Sequence, residues 1–237
     1  IVKLICGDSS PDGPDFREKL IQTPANKRYK GRPQRIHMGS YAVVENNSTL
    51  ENLESFTVQA MIWPTTPDKG LQGIVGKWNP RDKSGFALVI AEDGSLGLML
   101  GNGKGRAETV SLGKPMLARH WYLAAASWDA EAKEVRLYQE PLRDYGSMTH
   151  GGRARKKVKL AKMAGNRAPL TMAALFERSA GGRTFYGKFY NGKIDGPKLA
   201  GRVLKPIEIE ALRDNSVPRS LAPSVLAAWD FSRDISS

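Results

Sequence analysis

Apolar and polar residues begin to alternate at Phe56. Phe56, Val58, Ala60 and Ile62 interleave with Thr57, Gln59 and Met61, and this period of two predicts a half-buried strand over 56–63. Pro64-Thr65-Thr66-Pro67-Asp68-Lys69-Gly70 then supplies turn chemistry. Short apolar runs predict further strands at 72–78, 86–90, 96–100, 108–112, 121–128 and 135–138, with later ones at 170–175, 184–189, 193–199 and 225–231. Asp93-Gly94 predicts a two-residue hairpin in which both central positions take positive φ. Ala124-Ala125-Ala126 in the middle of 121–128 predicts an inner strand beneath a second packed layer. One short helix is expected near 205–214, from Pro206 in its first turn, Glu208 and Glu210 behind it, and Leu204, Ile207, Ala211 and Leu212 at helical spacing.

Many short strands, frequent turns and a single helix predict an all-β fold, an antiparallel two-sheet jelly-roll sandwich. The expected organisation is one domain over 1–237. It has lead-in strands in 1–50, core strands in 51–142, an excursion in 143–168, closing strands and helix in 169–231, and a linker from 232. The excursion is long for a loop inside a compact domain. Apolar runs of four or five residues exclude a membrane-spanning helix. A lone cysteine, Cys6, permits no internal disulfide and favours a reducing, cytoplasmic setting. The first residues, Ile1 to Ser10, lack an initiator Met and the long apolar run of a signal peptide, as expected of a piece of something longer.

The net charge of +12 is concentrated in two segments. Arg17, Lys19, Lys27, Arg28, Lys30, Arg32 and Arg35 stand against Glu18 alone, and Arg153, Arg155, Lys156, Lys157, Lys159, Lys162 and Arg167 occupy a stretch without an acid. The rest of the chain is close to neutral. The second run contains no Phe, Tyr or Trp on which bases could stack, which argues against nucleic acid and leaves docking to an acidic partner or a solvated loop. Its seven cations are the candidate docking residues.

Four pieces of the chain resemble the laminin-G-like, concanavalin A-like jelly roll: Phe56 to Pro64, Gln72 to Trp78, His120 to Asp129 with Val135 to Tyr138, and Gly187 to Leu212. The ends carry a narrower resemblance. Ile1 to Asp8, Gly13-Pro14, Gly31-Arg32-Pro33-Gln34, Gly39-Ser40-Tyr41 and Leu226 to Ile235 are similar to the N-terminal side of the N,N-dimethylformamidase large-subunit family. The resemblance implies an amide hydrolase whose iron, held by tyrosines and a glutamate, lies in a downstream catalytic domain. No iron ligand maps onto this chain. Its partners would be that domain and other subunits.

Catalytic constellations are scarce in the residues themselves. His37, His120 and His150 have no ligand-like spacing, and Cys6 sits in an apolar run. A jelly-roll glycosidase would need two carboxylates at alternate positions of a strand, whereas Glu208 and Glu210 fall on the expected helix and face apart. No catalytic residue is therefore assigned, and no cofactor within this segment. Asp129 and Asp195 are the carboxylates open to a rim calcium, without a third acid clustered beside them. Trp63, Trp78, Trp121 and Trp128 are the candidates for a glycan-binding face, each at an apolar strand position where core packing is the default. The leading expectation is a non-catalytic scaffold; a carbohydrate-binding module and a binder of anionic polymers are the alternatives.

Overall fold

The computed structural model describes residues 2–5, 20–22, 33–35, 40–143, 150–214 and 216–231, the first three segments by strand pairing alone. In chain order the strands are β1 (Val2–Ile5), β2 (Leu20–Gln22), β3 (Pro33–Arg35), β4 (Tyr41–Val44), β5 (Phe56–Pro64), β6 (Gln72–Asn79), β7 (Ser84–Ile90), β8 (Leu96–Asn102) and β9 (Ala107–Ser111). They continue with β10 (Tyr122–Asp129), β11 (Glu134–Pro141), β12 (Gly152–Lys157), β13 (Leu170–Met172), β14 (Leu175–Ala180), β15 (Arg183–Gly187), β16 (Gly192–Ala200) and β17 (Val225–Ala228). The α-helix α1 spans Pro206–Ala211. A seven-stranded sheet in the order β1-β4-β13-β6-β7-β8-β9 faces a six-stranded sheet in the order β12-β11-β10-β5-β16-β17. All the pairings within them are antiparallel, so the expected sandwich is the observed one.

Between the sheets lies one apolar cluster. Phe56, Val58, Ala60 and Ile62 of β5 face Phe86, Leu88 and Ile90 of β7 across it, with the Phe56 and Phe86 rings 4.4 Å apart. Trp128, fully buried, belongs to the same cluster. The inner-strand expectation for 121–128 also holds, because β10 lies between β11 and β5 and is buried on both faces.

Three local expectations are corrected. The hairpin after Ile90 forms, but over the longer turn Ala91–Ser95: Ala91 N donates to Ser95 O, and of Asp93 and Gly94 only Gly94 takes positive φ. Asp93 instead accepts the Ser95 amide and hydroxyl at 3.0 and 2.7 Å, a side-chain turn that relieves the backbone of the strained conformation. The apolar run at 170–175 divides into β13 and β14 at Ala173, whose φ is +62°. The basic excursion is not a loop throughout. Gly152–Lys157 adds to β11 as an edge strand, and Val158, Leu160 and Met163 anchor the stretch after it in the core.

A fourth correction concerns the polar face of β5, expected to meet water. Residues 201–214 and 216–224 lie over it. Thr57 Oγ1 donates to Arg202 O at 2.8 Å and accepts from Leu204 N at 2.9 Å, and Gln59 Nε2 donates to the carbonyls of Ile209 and Leu212 at the end of α1. Leu204, Ile209, Leu212 and Leu221 pack with Met61, Leu123, Ala125 and Tyr138 of the sheet to form a second apolar cluster. Arg202 grips Glu208 with both terminal nitrogens, at 2.9 and 2.8 Å. That contact, aided by the Lys205 amide, holds the Glu208 carboxyl down to about 2. The two helix glutamates do diverge: Glu210 pairs with Arg213 at 2.6 Å.

Inside the sandwich, Lys77 is 2% exposed, its Nζ donating to Asn46 Oδ1 and Ala168 O, both at 2.5 Å. Burial pushes its ammonium down to about 8 from 10.5, with Glu51 opposing. Between those values the unfolded chain binds the proton that the folded chain has released, so stability rises with pH across that window. Below it both states are protonated and the folded protein carries the cost of a buried charge. The difference in unfolding free energy between the protein and Lys77→Met should therefore shift by on the order of 1–3 kcal/mol between pH 8 and 10.5 in urea titrations. A pH-independent difference would refute this origin.

Candidate docking face

The outer face of the six-stranded sheet is the candidate functional surface, and strand alternation decides what it displays. Side chains at every second residue share a face, and the ladder register aligns them in rows. One row runs Arg153–Tyr138–Ala125–Gln59–Lys198, and the next Glu140–Leu123–Met61–Asp195. The same register carried one step past Tyr122–Ile62 sets Trp121 opposite Trp63, and Lys193, paired with Trp63, holds its Nζ 5.1 Å from that ring. Leu142 N donates to Trp121 O, which extends the row to Leu142. Among the described residues, 201–214 and 216–224 cover the middle of the face and leave this end open.

The basic strand β12 forms one border. Val158 N donates to Lys133 O. By antiparallel alternation the even-numbered residues of β12 bond to β11, and Arg153, Arg155 and Lys157 turn their backbone groups to the open edge. Those three side chains also point to the outer face. Arg153 pairs with Glu140, Arg155 reaches Glu134 at 2.9 Å, and Lys157 Nζ donates to Ala132 O at 2.7 Å. Glu134 also accepts from Arg136 at 3.0 Å, and this bond, followed by those of Arg155, lowers its carboxyl below the usual range against an opposing cost of burial.

The remaining candidates have other places. Lys156 Nζ donates to Ser111 O at 2.6 Å, and Lys159 N to Glu108 Oε2 at 2.9 Å, so these two residues stitch the β12 edge to β9 of the opposite sheet. Arg167 approaches Glu51 at 3.9 Å, and Lys162 lines a cavity of about 610 Å³ with Asn52, Glu54 and Lys104 at one end of the sandwich. The seven cations are thus one edge strand and its continuation, not a single patch. The alternation was present in the sequence: Ala154, Val158 and Leu160 interleave with Arg153, Arg155, Lys157 and Lys159, but the charge run obscured it.

Beside Arg153 two grooves open around α1. One, of about 510 Å³, is lined by Leu123, Leu142, Arg153, Pro206, Ile207 and Arg213 among others. The other, of about 360 Å³, is lined by Met61, Trp121, Leu142, Asp195, Arg213 and Asp214. Leu142 and Arg213 belong to both. Ile207 is 74% exposed, the large apolar side chain that stands out among the described residues. Sequence reasoning placed it on the helix and missed its exposure, since the face a short helix buries depends on what lies beneath it.

The four tryptophans separate. Trp78 and Trp128 are buried, as core packing predicts, whereas Trp63 and Trp121 are half-buried on the open end of the outer face. Asp129 and Asp195 do not meet: Asp129 accepts from Ala132 N and Arg136, while Asp195 lies in the groove by Trp121. His120 Nδ1 contacts Ala118 O at 2.7 Å. Among the described residues no group of three or more His, Cys, Asp or Glu could hold a metal ion. Cys6, His37 and the basic run 17–35, apart from the backbone of Leu20–Gln22 and Pro33–Arg35, lie outside the described residues. No described helix is long and apolar enough to cross a membrane.

No family model matches the chain. It is 35% identical to the N,N-dimethylformamidase beta subunit of Alcaligenes sp and 33% identical to that of Paracoccus aminophilus, over 99% of its length in both cases. It spans about a third of the length of these curated relatives, 32% of each. Among solved structures it is similar to the heptameric SAP-like pentraxin of Limulus polyphemus, with TM-score 0.51 and 15% identity over 87% of each chain. It is similar also to the sialidase carbohydrate-binding module CBM40 of Ruminococcus gnavus bound to α2,3-sialyllactose, with TM-score 0.50 and 18% identity over 70% of this chain and 86% of the other. The enzymatically active domain of bacteriophage CBA120 tailspike protein 2 gives TM-score 0.52 at 14% identity, over 99% and 32% of the two chains. At these identities the structural likenesses show the jelly-roll fold alone.

Proposed function

We propose that this chain, a relative of one third of an N,N-dimethylformamidase beta subunit, is the non-catalytic scaffold of an amide hydrolase of that kind. Residues 1–237 serve it as one jelly-roll domain that packs on the catalytic part of the polypeptide and on other subunits in the cytoplasm, with the iron chemistry carried elsewhere. The observation that carries this reading is the similarity over 99% of the chain to proteins three times its length. The geometry supports it by setting β12, the outermost strand of its sheet, with the side chains of Arg155 and Lys157 largely exposed, beside two open grooves.

The test is neutralisation of β12. Reversing Arg155 and Lys157 to glutamate would set new carboxylates against Glu134, 2.9 and 4.0 Å from their present partners, and destabilise the sheet for reasons unrelated to docking. Glutamine avoids this. Arg153→Gln with Arg155→Gln and Lys157→Gln, introduced into the full-length subunit, should lower the assembled mass measured by light scattering. The three cations are largely exposed and the part-buried Glu134 keeps its bond to Arg136, so the loss of these pairs costs about 1 kcal/mol each and the sandwich itself stays folded. An unchanged mass would overturn the docking role of β12.

A further inference from the structure

β12 ends the six-stranded sheet with an edge that is regular and open. Its pairing with β11 runs through six successive residue pairs without a register shift, whereas the other edge strand, β17, has four residues and pairs across a shift between Leu199 and Ala200. Arg153, Arg155 and Lys157 turn their amides and carbonyls away from β11, and among the described residues nothing bonds to these groups. Their side chains, each more than half exposed, follow one another at about 7 Å along the outer face, the spacing of alternate residues in any extended strand laid beside them. The charge at this edge is not balanced. Five cations, Arg136, Arg153, Arg155, Lys156 and Lys157, stand with three carboxylates, Glu134, Glu140 and Asp129. Glu134 alone is shared by Arg136 at 3.0 Å, Arg155 at 2.9 Å and Lys157 at 4.0 Å. Lys156 reaches a carbonyl, Ser111 O, instead of an acid.

We propose that β12 accepts an added strand, an extended segment of a neighbouring subunit that carries acidic residues at alternate positions. The inference rests on the docking role of β12 and names what docks there. Backbone bonds to Arg153, Arg155 and Lys157 supply the affinity of such a contact, and carboxylates lying beside those three side chains supply its selectivity. The surplus of positive charge favours this occupant over others. A second copy of the same edge would bring like charges face to face, which is how basic edge strands escape pairing with themselves. Single-stranded nucleic acid is gripped by stacking on aromatic rings, and 153–167 holds no Phe, Tyr or Trp. A neutral strand would leave Glu134 among three competing cations, whereas an acidic one gives Arg155 or Lys157 a carboxylate of its own.

A fluorescent peptide as long as β12, alternating glutamate with valine, tests this on the full-length subunit. Anisotropy reads the binding, with peptide in excess so that it displaces any strand already seated. Binding should weaken by roughly tenfold or more when Arg153→Gln, Arg155→Gln and Lys157→Gln are combined. Backbone pairing is read separately, on the unaltered subunit, with peptides N-methylated at every glutamate or at every valine. A strand turns alternate amides to its neighbour, so one of these two peptides should lose roughly tenfold or more in affinity while the other binds like the parent. The glutamate form is the one lost if the strand adds antiparallel, the valine form if it adds parallel. Equal binding of all three peptides overturns the proposal, as does loss of both N-methylated forms, failure of the parent to bind, or binding of a heparin fragment in its place. If neutralising β12 lowers the assembled mass while the N-methylated peptides bind alike, this inference falls and the scaffold reading stands. If neutralisation changes neither the mass nor the binding of the parent peptide, both fall.

Discussion

Thr57→Val should lower the unfolding free energy by about 3 kcal/mol or more, though the two side chains have nearly the same shape. Thr57 Oγ1 is a buried hub. It donates to Arg202 O, accepts from Leu204 N, and shares a 2.9 Å contact with Ser127 Oγ. A methyl group in its place strands a buried amide, a carbonyl and a hydroxyl, and each stranded buried group costs ~1–3 kcal/mol. Urea unfolding measures the loss. Ser127→Ala, which breaks only one of the three contacts and leaves Thr57 its other two, should cost about 1 kcal/mol. A Thr57→Val loss no larger than the serine control would show that residues 201–224 are held mainly by the apolar cluster beneath them. The same segment carries Ile207 and lines both grooves.

Gly85→Ala is the second large effect. Gly85 has φ +91° and its amide donates to Ala164 O. A Cβ built there would lie 1.9 Å from Lys77 O and 2.4 Å from Asn166 Nδ2. Asn166 Nδ2 itself donates to Lys77 O and Ser84 O, so neither neighbour can retreat without breaking the bonds that tie the 164–168 segment to β6 and β7. Strain and lost bonds together should cost about 3 kcal/mol or more, a fall in Tm of roughly 6–12 °C for a chain of this size. Gly181→Ala isolates the backbone contribution, since Gly181 has φ +59° and a Cβ added there would meet no atom within 4 Å. It should cost only about 1–2 kcal/mol. Equal losses at the two sites would mean that the close approach at Gly85 is relieved by small shifts.

The layering of the molecule was legible wherever hydrophobicity alone decides. A period-two run located β5, and short apolar runs located β6 to β8, β10, β11 and β16 to within a few residues, because strands packed in the interior of a sandwich need apolar side chains. The helix at 206–211 was readable from Pro206 and its glutamates, since the missing proline amide and the helix dipole act locally. The candidate site was less legible. The cations of 153–167 were visible, but their pattern as an edge strand was hidden by their charge, and their separate duties depend on Glu140, Glu134 and Ser111, between 13 and 45 residues away in sequence.

By its sequence alone this chain determined an antiparallel sandwich with one short helix, the confinement of its positive charge to two segments, and a likeness to the dimethylformamidase large subunit. Tertiary structure alone decided which tryptophans face outward, that the polar side of β5 is roofed by residues 201–224, and that Ile207 meets solvent. The physical reason is that alternation says which residues share a face but not what the second face meets. Thr57 and Gln59 are as compatible with water as with the backbone groups of a covering segment, and only the arrangement of distant strands and loops chooses between them.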